Sequence, residues 1–155
     1  MPEGSLDQQK KAGKKIKKEF LKKTPAIKSL SEAVKKKAVE RGYLMGLDKR
    51  KITTRSEHSA LNFLLQSAGA LVCKKWIVTL EELLQKKGFK HGFDGDYAFC
   101  AWIHDEVQIA CRSQEVAEEM GKLASEAITI TEKFFDFKCP LAVDFMIGTN
   151  WATTH

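Results

Sequence analysis

Two acids stand side by side in "AWIHDEVQIACR", residues 101 to 112: Asp105 and Glu106, with His104 immediately before them. Adjacent carboxylates between apolar runs can be a plain turn, since Asp favours turns and Glu tolerates exposure. They can also hold a divalent cation. Mg²⁺ keeps much of its hydration shell and is bound through one or two carboxylates together with substrate phosphates, so the chemistry such a pair implies is phosphate chemistry. A second polar set, His58, Asn62 and Gln66, recurs at four-residue steps. On a helix that spacing makes one stripe along a face, either solvated or turned toward a ligand. His91, Asp94 and Asp96 could serve as metal ligands, but "KHGFDGD" reads as turn chemistry leading into a strand. Cys73, Cys100, Cys111 and Cys139 show no C-x-x-C pairing, which argues against a zinc site or a secreted disulfide framework and for reduced, mostly buried thiols.

The elements that must position these groups follow from periodicity. "YAFCAWI" and "VQIACR" alternate as strands and predict a β-hairpin with Asp105 and Glu106 at its tip. That placement makes Cys100 and Cys111 cross-strand neighbours. From Ser56 to Gly88 apolar residues recur at three- and four-residue steps, predicting a long helix capped by Ser56 and ended by Gly88. Thr24 and Pro25 open an earlier helix that stops at Gly42. "YLMGLDKRKITTR" predicts a small hairpin about Asp48, Lys49 and Arg50. "SQEVAEEMGKLASEAITITEKFF" predicts an amphipathic helix capped by Ser113, and "PLAVDFMIG" a further strand. The fold class is α+β, an antiparallel sheet packed on long helices.

A chain of 155 residues is one domain's worth. No uninterrupted apolar run approaches the roughly 20 residues that span a bilayer, and no signal-peptide pattern opens the chain, so a soluble cytoplasmic protein is expected, with no membrane partner. The net charge of +6 is uneven. Residues 1 to 51 hold 16 Lys or Arg against 6 Asp or Glu, and the rest hold 10 against 14. "KKAGKKIKKEFLKK" could lie along a phosphate backbone or form a solvated helix face.

"IHDEVQ" resembles the catalytic His-Asp-Glu motif of family A DNA polymerases, on the strand-turn-strand of the palm. "HSALNFLLQSAGALVCKKWI" resembles the long palm helix before that motif. "KHGFDGDYAFCAWIHDEVQIACR" is similar to the corresponding stretch in replicative polymerases of short-tailed phages, and "NWATTH" resembles the family's last residues. The resemblance runs from about Ala12 to His155 and is most specific over 56 to 112.

That resemblance implies a function and a division of labour. Residues 1 to 42 would be a lysine-rich helical end of the fingers region, and 43 to 155 the C-terminal part of the palm. Asp105 would be a ligand of two catalytic Mg²⁺ ions, Glu106 the neighbouring acid and His104 a residue facing the primer end. Asn62 and Gln66 would meet the minor groove of the primer-template, where amides reach acceptors shared by all base pairs. His58 stands where many relatives carry Arg, and the terminal His155 would support the site. The first palm strand with the other metal-binding Asp, and the fingers helix that grips the dNTP, have no counterpart here. The expectation is therefore one subunit of a split DNA polymerase, inactive alone, completed by a partner chain; in a phage it would work in the host cytoplasm. The alternative is a non-catalytic DNA-binding or interaction remnant. A free-standing nuclease or phosphohydrolase would need more acidic ligands.

Overall fold

The computed structural model describes residues 5–154, so the expectation for His155 lies outside the described residues. The chain divides into two compact units, with the boundary between Leu65 and Gln66.

The first unit opens with α1 (Leu6–Lys23) and α2 (Pro25–Arg41). Pro25 takes the first position of α2, where its missing N–H costs nothing, and Gly42 ends the helix with a φ of 72°. Thr24 precedes α2 as expected, but its hydroxyl does not cap that helix. It donates instead to the Phe20 carbonyl at 2.7 Å, closing the end of α1. β1 (Tyr43–Met45) and β2 (Lys51–Thr53) form the expected small antiparallel hairpin, with Leu44 opposite Ile52. Its turn carries Lys49 at a φ of 64°, and the Asp48 carboxylate holds the Arg50 guanidinium. A small core of Val34, Ala38, Leu44 and Ala60 closes the unit.

α3 (Ala60–Lys86) is preceded by a 3₁₀ turn at Glu57–Ser59. Gly88, with a φ of 90°, lets the chain leave the helix end as expected. In the second unit Trp76, Leu80 and Leu84 of α3 pack with Tyr97 of β3 (Tyr97–Ile103) and with Met120, Leu123, Ala127 and Ile128 of α4 (Gln114–Phe135). Each fully buried Leu here is worth about 1.5–3 kcal/mol. The Trp76 indole donates to the Ala124 carbonyl at 2.9 Å, so the large ring is buried without an orphaned N–H. Ser113 caps α4 as expected, accepting from the Val116 amide. By length and composition alone the helix over Glu57–Lys86 holds an apolar window long enough to cross a bilayer, and one such helix is weak evidence for a membrane span.

One expected strand is not formed. "PLAVDFMIG" joins no ladder among the described residues. Its partner is a helix instead. Leu141 and Val143 pack on the core of the second unit, the Leu141 N–H is taken by the Glu132 carboxylate at 2.7 Å, and the Phe145 ring lies over Gly121 of α4.

Candidate functional site

β3 and β4 (Glu106–Cys111) pair antiparallel with Ile103 opposite Glu106, so the two-residue turn is His104 and Asp105. The tip lies one residue earlier than expected. His104 is in the left-handed region at a φ of 57°, and the Trp102 indole donates to its carbonyl at 2.9 Å. The expected pairing of Cys100 with Cys111 also fails, for a related reason. A register shift between Phe99 and Ala101 leaves Cys100 in a bulge, and Cys111 sits opposite Tyr97. A symmetric count from the tip assumes a ladder with no extra residue, and a bulge breaks it. All four cysteines are free thiols, but the expectation that most are buried fails: Cys73 and Cys111 are half-buried, and Cys100 and Cys139 are exposed.

The Asp105 side chain is exposed and makes no hydrogen bond or ion pair with another described residue. Its charge is nonetheless felt at Cys73 on α3: burial pushes that thiol's pKa up, and the Asp105 carboxylate pushes it further. Glu106 is half-buried. Its Oε1 accepts from Gln108 Nε2 at 2.5 Å, and Gln108 Oε1 in turn lies 3.2 Å from the Thr154 hydroxyl. That hydroxyl is shared with the Trp151 carbonyl, also 3.2 Å away. The Gln108 amide is therefore oriented from both ends, with its NH₂ toward Glu106. Neither Gln108 nor Cys73 was singled out from sequence. Strand alternation carries the signal for Gln108, since residues 106 and 108 share a face.

The other candidates separate. His58 lies in the 3₁₀ turn, before α3 starts, so it is not on the α-helical stripe expected for it; its Nε2 is 3.7 Å from its neighbour Glu57. Asn62 and Gln66 are both exposed on α3 and keep their four-residue step. His91, Asp94 and Asp96 build a loop rather than a metal site. Asp96 accepts from the Lys90 amide at 2.8 Å, the Asp94 carbonyl accepts from Arg112 at 2.7 Å, and His91 stacks on Tyr97 with ring centroids 5.1 Å apart. Tyr97 donates to Glu81 at 2.7 Å, and its pKa is raised far above the ordinary value by burial and then by that carboxylate.

Asp105 and Glu106 offer the oxygen donors that a hard cation such as Mg²⁺ prefers. No group of three or more His, Cys, Asp or Glu is gathered for a metal among the described residues. The donor set fits part of a Mg²⁺ site.

The hairpin that carries the acidic tip is packed with two long helices, and similarity to known proteins defines the class of the chain. The chain belongs to DNA polymerase family A, whose family model matches residues 3–153. It is 46% identical to the DNA-directed DNA polymerase of Enterobacteria phage T3 and 45% identical to that of Escherichia phage T7, in each case over 94% of this chain and 23% of the relative. The chain thus spans about a quarter of the length of these curated relatives. The fold is also similar to the POL domain of Pol1 from M. smegmatis, solved in complex with DNA primer-template and dNTP, with a TM-score of 0.66 and 19% identity over 81% of this chain and 24% of that one.

Proposed function

We propose that this chain is the C-terminal palm portion of a phage-type DNA polymerase, working as one subunit of a split enzyme. Residues 1–42 form the end of the fingers region and 43–155 the palm. The observation that carries the reading is Asp105: an exposed carboxylate at the tip of a stiff hairpin, unpaired among the described residues, in a chain 45% identical to DNA-directed DNA polymerases. Asp105 and Glu106 would hold Mg²⁺ together with an Asp from the partner chain. When bound, the ions supply the charge that activates a primer 3′-hydroxyl and neutralises the leaving pyrophosphate. Gln108 keeps Glu106 oriented, and His104 faces the primer end. Asn62 and Gln66 present amides to the minor groove of the primer-template, His58 contacts DNA from the turn before α3, and His155 supports the site. The partner chain contributes the fingers that bind the dNTP. Such an enzyme acts in the cytoplasm of an infected host.

A primer-extension assay tests this directly. This chain, mixed with a chain that carries the N-terminal part of a family A polymerase, primer-template, dNTPs and Mg²⁺, should extend the primer, while either chain alone should not. Asp105→Ala should abolish extension. A folded mixture that extends no primer, or one indifferent to Asp105→Ala, refutes the reading.

A further inference from the structure

We infer that α1 is a docking helix for the sugar-phosphate backbone of DNA, acting independently of Asp105 and of any metal. No residue of α1 is buried. Lys10, Lys14, Lys18 and Lys22 recur at four-residue steps, a rise of about 6 Å each, and Lys11 and Lys15 lie beside them. At 100° per residue these six fall within an arc of roughly 140°. Leu6, Ile16 and Phe20 fall on the other side, 66%, 68% and 52% exposed, and the remaining two lysines, Lys17 and Lys23, border that apolar stripe.

None of the six lysines takes part in an ion pair among the described residues, in contrast to Lys28 and Lys36 of α2, which pair with Glu32 and Glu40. An array of like charges on one face raises the folding free energy by mutual repulsion unless an anion meets it. The complementary object is a linear polyanion. From Lys10 to Lys22 the helix spans about 18 Å, over which duplex DNA presents about ten phosphate charges, one per ~1.7 Å of axis. An anionic membrane surface fits less well: binding there scales with apolar area, and the apolar side of α1 is the narrow stripe of Leu6, Ile16 and Phe20, bordered by Lys17 and Lys23.

The test is DNA binding by the whole chain in EDTA, measured by fluorescence anisotropy with mixed-sequence duplex and with single-stranded oligonucleotides between 50 and 200 mM salt. If six phosphates are neutralised, the log–log salt slope is about −5 on duplex and about −4 on single strands, and duplex affinity falls about 10³-fold over that range. Replacing Lys10, Lys14, Lys18 and Lys22 together by Gln keeps helix propensity and should reduce the duplex slope to about −2, a loss of only about tenfold. The corresponding Arg variant should keep the parental slope, which separates charge from folding. Removing the same number of charges from α2, at Lys28, Lys35, Lys36 and Lys37, should leave the slope nearly unchanged. Equal effects of the α1 and α2 sets, or no effect of the α1 set, would overturn the assignment. So would an α1 set that weakens binding to anionic phospholipid vesicles and leaves DNA binding intact.

Discussion

Gly121 lies midway along α4 with the Phe145 ring directly over it, so close that a Cβ at residue 121 would overlap the ring carbons. Gly121→Ala therefore sets two effects against each other. A methyl in a helix interior gains about 1 kcal/mol over glycine. Forcing that methyl into a filled space costs about 1–3 kcal/mol, so the net change is a destabilisation of up to about 2 kcal/mol. Phe145 is 49% exposed, so Phe145→Ala should cost about 2 kcal/mol, roughly half of what a fully buried ring would. In that background the methyl has room, and Gly121→Ala should now stabilise by about 1 kcal/mol. The sign reversal is the signature of direct contact. Urea unfolding of the four proteins, with a common m-value, measures it. A Gly121→Ala change that stabilises in both backgrounds would mean that residues 141–147 do not rest on α4. The consequence reaches the candidate site, since this segment leads to Thr154, which reaches Gln108.

Other expectations are briefer. At His104 the left-handed backbone costs an ordinary residue about 1–2 kcal/mol, while glycine loses about 0.5–1 kcal/mol in chain entropy; His104→Gly should leave urea stability equal or slightly higher, and the β-branched His104→Val should lower it. Tyr97 has its folded pKa raised above the unfolded value of about 10, so the stability it contributes is complete below pH 10 and is lost as pH rises toward the folded value; thermal melts between pH 8 and 11 should fall less steeply for Tyr97→Phe. Because the Asp105 charge raises the Cys73 pKa, Asp105→Asn should speed alkylation of Cys73 at pH 8 while leaving the exposed Cys139 unchanged, as read by mass spectrometry.

What the sequence makes legible is local. Pro25, Gly42, Gly88 and Ser113 mark helix ends by their own backbone chemistry, and the structure uses each as expected. What fails depends on partners. Alternation in "PLAVDFMIG" reports that one side is buried, yet a helix can bury it as well as a sheet can, and the Glu132 carboxylate removes the amide a ladder would use. The turn lies one residue before the expected position, which alone takes Cys100 out of register with Cys111, and the bulge at Cys100, which no residue type announces, shifts the pairing by one more. At the site, His104, Asp105 and Glu106 were found from composition, while Gln108 required knowing that Thr154 comes back to meet it.

The hairpin tip breaks local rules in a way that supports its proposed role. Two-residue hairpin turns favour Asn-Gly or Asp-Gly, because those residues enter positive φ at little cost. Here the turn is His-Asp, with His104 in the left-handed region and Asp105 without an ion pair among the described residues. His104 at positive φ does not help the hairpin fold, whereas Asp105 suits a turn. The strands beneath offset the cost, with Tyr97 fully buried and Val107 and Ile109 packed against the core. Strain at a rigidly supported tip is the pattern expected where side chains are kept for a ligand rather than for the turn. Exposure has its own logic. A carboxylate held in water incurs no desolvation penalty until a cation arrives, so the folded chain can keep Asp105 for the proposed ion without being destabilised by it.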